Sequence, residues 1–195
     1  MFGMRMAALV AAVLSTGLIA GVFYAYAMSV MPALARTEDR TLVEVMQKIN
    51  VVIINPWFML GFLGTVGFGL LAVVLHLGRE QRPVLIWLAI ALALNVIAFG
   101  VTAAYNVPLN DMLAGAGDPG ALADPAGLRA DFEASWVRWN VVRAVLHTAA
   151  FLVLCGALFA AGMVAARAER GDAAAGSGSA ATAQFVAGPA ARQFR

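Results

Sequence analysis

The segment VVRAVLHTAAFLVLCGALFAAGMVAA, residues Val141–Ala166, decides the fold, because it is apolar over a length sufficient to cross a lipid bilayer. A transmembrane helix needs about 20 residues to span a hydrocarbon core of ~30 Å. Three further stretches share this character: Met6–Met31, Val51–Leu77 and Val84–Tyr105. A backbone in lipid must satisfy its own hydrogen bonds, so the sequence predicts an all-α, four-helix transmembrane bundle.

The composition agrees with a membrane protein. Of the 195 residues 62% are hydrophobic, and the mean hydropathy is +0.83. The formal net charge is only +2, and the 13 lysines and arginines are scattered among the loops. This pattern favours topology signals over a basic nucleic-acid-binding face, so membrane lipids are the expected partners. The oligomeric state is not indicated.

The polar connections predict two further helices and a tail. Residues Arg36–Asn50 place apolar side chains on one face, as an interfacial helix does. A helix from Pro125 or Leu128 is expected to run through the outer loop into the fourth span. Together these elements form one membrane domain over residues 1–170. The Ala-, Gly- and Ser-rich segment 171–195 is predicted to be a disordered cytoplasmic tail.

The N-terminus has two interpretations. Arg5, the apolar run after it and Ala25–Ala27 resemble a secretory signal with its cleavage site. The apolar run continues to Met31, however, which favours a retained first span.

Arginines near the span ends predict the orientation. Arg79 and Arg82 lie in the short loop after the second span, and Arg167 and Arg170 directly follow the fourth. By the positive-inside rule we expect both termini in the cytoplasm of a multi-pass plasma-membrane protein.

Unusual polar residues then gather at the outer end of the bundle. On the last helix, Trp136, Asn140, Arg143 and His147 recur at spacings of four, three and four, which places them on one stripe. Four asparagines flank the second and third spans at the same end: Asn50, Asn55, Asn106 and Asn110.

This cluster has a structural and a functional interpretation. In the structural one, Arg143 reaches the head groups or pairs with Asp131, Glu133 or Asp111, and the asparagines cap helices. In the functional one, the carboxamides, the indole and the guanidinium converge on an apolar pocket suited to a flat aromatic ligand. A charge below the membrane interface normally faces the bundle interior or a cavity, so Arg143 is the leading candidate for a functional residue.

Other chemistries have weaker signals. His76 and His147 are expected at opposite ends of the bundle, so they cannot share one metal ion, and a haem on a single histidine is a minor alternative. The chain contains no P-loop or dinucleotide-binding motif, and no inverted repeat that would indicate transport. We therefore expect no metal and no cofactor.

Four sequence blocks resemble the anthrone oxygenase-like family of small integral membrane proteins, catalogued as domain of unknown function 1772. They cover roughly residues 6–162 in the family's order. The blocks are Gly17–Phe23 with Met31–Leu34, Met46–Asn50 with Asn55–Phe58, Asn106–Asn110, and Trp136–Arg143.

This resemblance implies a four-helix membrane protein and, for a few fungal relatives, oxidation of anthrones to anthraquinones by O₂ without metal or flavin. On that basis Arg143 is the expected partner of a substrate anion, His147 a candidate base and Asn140 a hydrogen-bond donor. The expected substrate-binding residues are Asn50, Asn55, Asn106, Asn110 and Trp136. The rival hypothesis is a non-enzymatic membrane protein that binds a lipid or a partner subunit, with the polar cluster holding the helices together.

Overall fold

A computed structural model describes the backbone of residues 2–187 and the side chains of residues 2–171. The described chain is helical and contains no strand. It forms five helices: α1 (Phe2–Leu34), α2 (Asp39–Val52), α3 (Pro56–Leu75), α4 (Arg79–Gly115) and α5 (Pro125–Ala187). In the described part, α1, α3, α4 and α5 are long and apolar enough to cross a membrane. The predicted all-α, four-span bundle is confirmed.

The four long helices pack in a ring, with α1 against α3 and α5, and α4 against α3 and α5. Leu9, Leu88 and Leu154 belong to a hydrophobic cluster at the end of the bundle that holds the α3–α4 turn. A second cluster, with Met46, Leu113 and Phe132, fills the opposite end, where α2 covers α4 and α5. Helix α2 buries one face there, as its amphipathic pattern predicts.

Two prolines widen the helices at that second end. Each follows a π-helical turn, Tyr26–Val30 in α1 and Thr102–Asn106 in α4, and each of these turns closes with a bond across five residues. Proline has no N–H, and its ring clashes with the carbonyl of the preceding turn, so a wider turn just before Pro32 and Pro108 accommodates the ring. The helices therefore continue past these prolines, beyond the predicted ends of the first and third spans at Met31 and Tyr105.

The second span begins later than predicted. Val51 and Val52 complete α2, and α3 starts at Pro56. The Asn55 side chain caps α3 by accepting from the N–H groups of Trp57 and Phe58. Its Nδ2 donates to the carbonyls of Val52 and Ile53, so one asparagine fixes the bend between α2 and α3.

Polar contacts fasten α2 and its linker to the rest of the bundle. Arg129 binds Asp39 and Glu133 through its guanidinium and also donates to the carbonyls of Ala35 and Thr37. Gln47 donates to the carbonyls of Leu113, in the last turn of α4, and Gly117, just beyond its end. These contacts hold α2 beside the site described below.

The outer-loop helix and the fourth span form one uninterrupted helix from Pro125. Its backbone is traced to Ala187, while the side chains after Gly171 and residues 188–195 lie outside the described residues. The disorder of segment 171–195 stays a prediction.

Candidate functional site

A cavity of about 270 Å³ lies between α1, the α2–α3 bend, α4 and α5. We call it the main cavity. Most of its wall is apolar or aromatic, including Phe23, Tyr26, Phe58, Phe62 and Trp136. The polar wall residues are Asn50, Thr102, Asn110, Asn140 and Arg143. An apolar pocket with a few polar groups is typical of a small-molecule site.

Arg143 lies in this wall and is only 4% exposed. Its guanidinium donates to Asn140 Oδ1 at 3.1 Å and to Thr102 Oγ1 at 3.4 Å, and it stacks over the Phe23 ring at 4.2 Å. No ion pair joins it to a carboxylate among residues 2–171, and its Nε has no hydrogen-bond partner there. The expected alternatives of a head-group position or an acidic partner are wrong, since Arg143 is buried and forms no ion pair with Asp131, Glu133 or Asp111.

Asn140 connects the arginine to α1. Its side chain is fully buried, its Oδ1 accepts from Arg143, and its Nδ2 donates to the Phe23 carbonyl at 3.0 Å. Phe23 thus supports Arg143 through its ring and holds Asn140 through its backbone. The arginine is oriented by neutral groups, which leaves its positive charge unneutralised.

Two further asparagines carry polar groups in the wall. Asn110 Oδ1 accepts from the indole N–H of Trp136 at 2.8 Å, which fixes that ring against the cavity. Asn50 Nδ2 is buried and has no partner among the described residues. Arg143 Nε is a second buried donor without a partner there, so two residues of the wall carry donors whose hydrogen-bonding capacity is not used.

The structure thus brings five of the eight predicted site residues into one wall: Asn50, Asn110, Trp136, Asn140 and Arg143. The other three lie elsewhere. Asn55 caps α3, and Asn106 is buried behind the wall and donates to the Trp136 carbonyl at 3.3 Å. His147 is fully buried one turn beyond Arg143 and does not line the cavity.

His147 belongs to a buried polar relay in the bundle interior. Its Nδ1 lies 2.9 Å from Asn95 Oδ1, and Asn95 Nδ2 donates to Thr16 Oγ1 and to the Thr65 carbonyl. Because Asn95 presents its oxygen, His147 carries the proton on Nδ1. The imidazole also packs on Phe23, with ring centroids 5.4 Å apart, so the relay supports the residue beneath Arg143.

Asn95→Leu is expected to lower the free energy of unfolding by about 1–2 kcal/mol, since it removes three interhelical hydrogen bonds that average about 0.6 kcal/mol each in membrane proteins. Detergent-induced unfolding in micelles measures this. Val96→Leu is the matched control, because Val96 is the next residue and is 49% exposed. Equal stability of Asn95→Leu and the wild type would contradict a structural role for the relay.

Sequence reasoning missed several wall residues and the relay. Asn95 is not ionisable, but a carboxamide in the middle of an apolar span is itself a signal of a buried polar site. Tyr26 and Thr102 each stand six residues before a proline, and this shared spacing marks the two π-helical turns at the cavity. Phe23 has no such signal, since an aromatic residue in a span is ordinarily a packing residue.

Comparison with known proteins gives one match. The family model described as anthrone oxygenase matches residues 56–153, which is half of the chain. No curated protein and no solved structure matches. The matched range contains Asn106, Asn110, Trp136, Asn140 and Arg143, so it includes most of the predicted cluster.

The matched range begins at Pro56, so the resembling blocks on α1 and α2 lie outside it. The four apolar helices and this match identify a membrane protein. The chain belongs to the anthrone oxygenase family.

Proposed function

We propose that this membrane protein is an oxygenase that binds a lipophilic polycyclic phenol of the anthrone type in the main cavity. The observation that carries the proposal is Arg143, a buried guanidinium that faces an aromatic cavity and has no carboxylate partner in the described part of the chain. An unpaired buried cation is costly, and a bound anion offsets that cost.

The proposed reaction oxidises the substrate with molecular oxygen. Loss of a proton gives an anthrone anion, which transfers electrons to O₂ and forms a carbon–oxygen bond. Protonation of the resulting peroxide and loss of water leave the quinone, so each anthrone consumes one O₂ and releases one water. The anion is electron-rich enough to react with O₂ itself, so the protein's task is to bind, orient and stabilise it.

The wall residues have distinct roles in this proposal. Arg143 stabilises the anionic oxygen, and Asn140 and Thr102 orient the guanidinium. Asn50 offers its unused N–H to a second acceptor atom, and Trp136, held by Asn110, provides a surface for ring stacking.

His147 does not contact the cavity, so we propose that it positions Phe23 instead of taking the substrate proton. Arg143 and Tyr26 are the ionisable residues in the described wall. We therefore propose that stabilisation of the anion by Arg143 drives proton loss, with solvent as the acceptor.

The proposal includes no metal or cofactor. Among residues 2–171, no group of three or more His, Cys, Asp or Glu side chains could hold a metal ion.

A second candidate function is ligand binding without chemistry. The lack of a carboxylate or imidazole in the described wall favours it, because oxygenases that deprotonate their substrates commonly use such a base. In this case the same cavity would hold a lipophilic aromatic ligand or a lipid without turnover.

We also propose that the protein lies in the plasma membrane with both termini in the cytoplasm. The arginines near the α3–α4 turn and the end of the fourth span support this orientation. It would place the main cavity towards the outer leaflet.

The test is an assay of purified protein in lipid nanodiscs with 1,8-dihydroxyanthrone. We expect O₂ uptake and quinone formation in a one-to-one ratio, above the rate in empty nanodiscs. Saturable binding without quinone formation would favour the non-enzymatic candidate. If the protein neither binds nor oxidises dihydroxyanthrone, this substrate class is excluded.

A further inference from the structure

A second depression adjoins the main cavity on the side of α2. It has a volume of about 290 Å³ and is lined by Tyr26, Val45, Lys48, Ile49, Val52, Ile53 and Asn55. We call it the α2 groove. Tyr26, Ile49 and Ile53 line both spaces, so the two are separated by a partition one side chain thick.

Polar atoms form only a small part of the wall of the α2 groove. Lys48 is largely exposed and binds Glu44 on the same helix. Both polar atoms of Asn55 bind backbone groups at the α2–α3 bend. The wall of the groove is mostly hydrocarbon. The wall of the main cavity instead includes Asn50 and Arg143, each of which has a buried donor without a partner among the described residues.

This contrast indicates a ligand with two chemically different parts. An anionic or acceptor-bearing ring system suits the main cavity, and an aliphatic part without polar atoms suits the α2 groove. Val52, at the edge of the groove, is 72% exposed, so the groove opens to the surroundings of the bundle.

The three side chains of the partition lie on a π-helical turn and at a helix end. Tyr26 lies on the π-helical turn of α1, and Ile49 and Ile53 lie at the end of α2 beside the α2–α3 bend. Turns of the π type and helix ends are common places for local rearrangement. A substituent that extended from one space into the other would have to displace these side chains.

From this arrangement we propose that the α2 groove is a second part of the binding site, which takes an aliphatic substituent of the substrate. The substrate class is a polycyclic phenol that carries an alkyl or prenyl chain. The proposal rests on the proposed function of the main cavity and adds a specificity determinant to it.

The test uses a 1,8-dihydroxyanthrone whose decyl chain ends in a photoreactive diazirine, bound to the protein in nanodiscs. Illumination inserts the chain end into its neighbours, and mass spectrometry locates the labelled residues. We expect labelling within residues 45–55, and we expect excess unsubstituted dihydroxyanthrone to remove it, because the ring system must occupy the main cavity.

Two variants fill the groove, Val45→Phe and Val52→Phe. Val52 is exposed, so its replacement should not affect folding. Leu14→Phe is the matched control on a lipid-facing residue of α1, 60% exposed. We expect both groove variants to lower labelling at least several-fold and to keep turnover of the unsubstituted anthrone, while Leu14→Phe labels like the wild type.

Labelling spread over lipid-facing residues, or unchanged in both groove variants, would overturn the α2 groove as a subsite. If excess unsubstituted anthrone does not remove the labelling in the groove, the probe's chain enters the groove without its ring in the main cavity. The groove would then be a site for a lipid acyl chain, and this result would also overturn the proposal. Turnover of the unsubstituted compound separates these results from a failure of the proposed function. If the wild type neither binds nor oxidises it, both proposals fail together.

Discussion

Arg143→Gln is expected to lower turnover of dihydroxyanthrone by about 10²–10³-fold, the usual cost of removing an oriented group that stabilises a developing anion. Glutamine keeps donors near Asn140 and Thr102 but removes the positive charge. We expect Arg143→Lys to retain intermediate activity, because an ammonium keeps the charge and lacks the planar fork that Asn140 and Thr102 orient. Initial rates of quinone formation in nanodiscs measure both variants.

The stability of the same variant separates function from structural support. A charged side chain in a helix within a membrane costs about 2.5–3.5 kcal/mol, so its replacement by a neutral one should leave the bundle as stable as the wild type or more stable. If the polar cluster existed to hold the helices together, Arg143→Gln would instead destabilise the bundle. Arg138→Gln, an exposed position on the same helix, controls for the change of net charge. Turnover near the wild-type level in Arg143→Gln would contradict the proposed role.

The fold could be predicted from the sequence because its signal is redundant. Each of the four spans carries an apolar run of sufficient length, so small errors in the ends leave the bundle unchanged. The end of α2 was harder to predict, because the apolar Val51 and Val52 continue directly into the apolar run of the second span. The local signal for the start of α3 is Asn55 followed by Pro56, a preferred N-cap residue before a proline in the first helical turn. The continuous apolar character of Val51 and Val52 outweighed this signal in the predicted bounds.

The part of the candidate site that lies on a single helix could be predicted, whereas the part that depends on how helices pack against each other could not. Helical periodicity places Trp136, Asn140 and Arg143 on one stripe, so their common position in the wall follows from the sequence. Periodicity does not give the rotation of one helix relative to another. His147 continues the stripe by one turn, yet tertiary packing buries it against Phe23 and Asn95, beyond the end of the cavity.

Asn140→Asp is expected to lower turnover by about a hundredfold, because it places a carboxylate beside the cation that should bind the substrate anion. Asn140 Oδ1 lies 3.1 Å from a guanidinium nitrogen of Arg143, so an aspartate there would form an ion pair without any change in side-chain size. The paired arginine keeps its position and its hydrogen bond. What the arginine loses is its availability to an external anion.

This substitution therefore tests the unneutralised charge itself, whereas Arg143→Gln tests the presence of the side chain. Aspartate cannot donate to the Phe23 carbonyl, so a loss of stability of about 1 kcal/mol is expected and is measured by detergent unfolding. Asn110→Asp is the matched control in the same wall, since its oxygen can still accept from the Trp136 indole. Substrate affinity should fall in Asn140→Asp with the turnover rate and change less in Asn110→Asp. If Asn140→Asp instead binds and oxidises the substrate as the wild type does, the free charge of Arg143 has no part in the reaction.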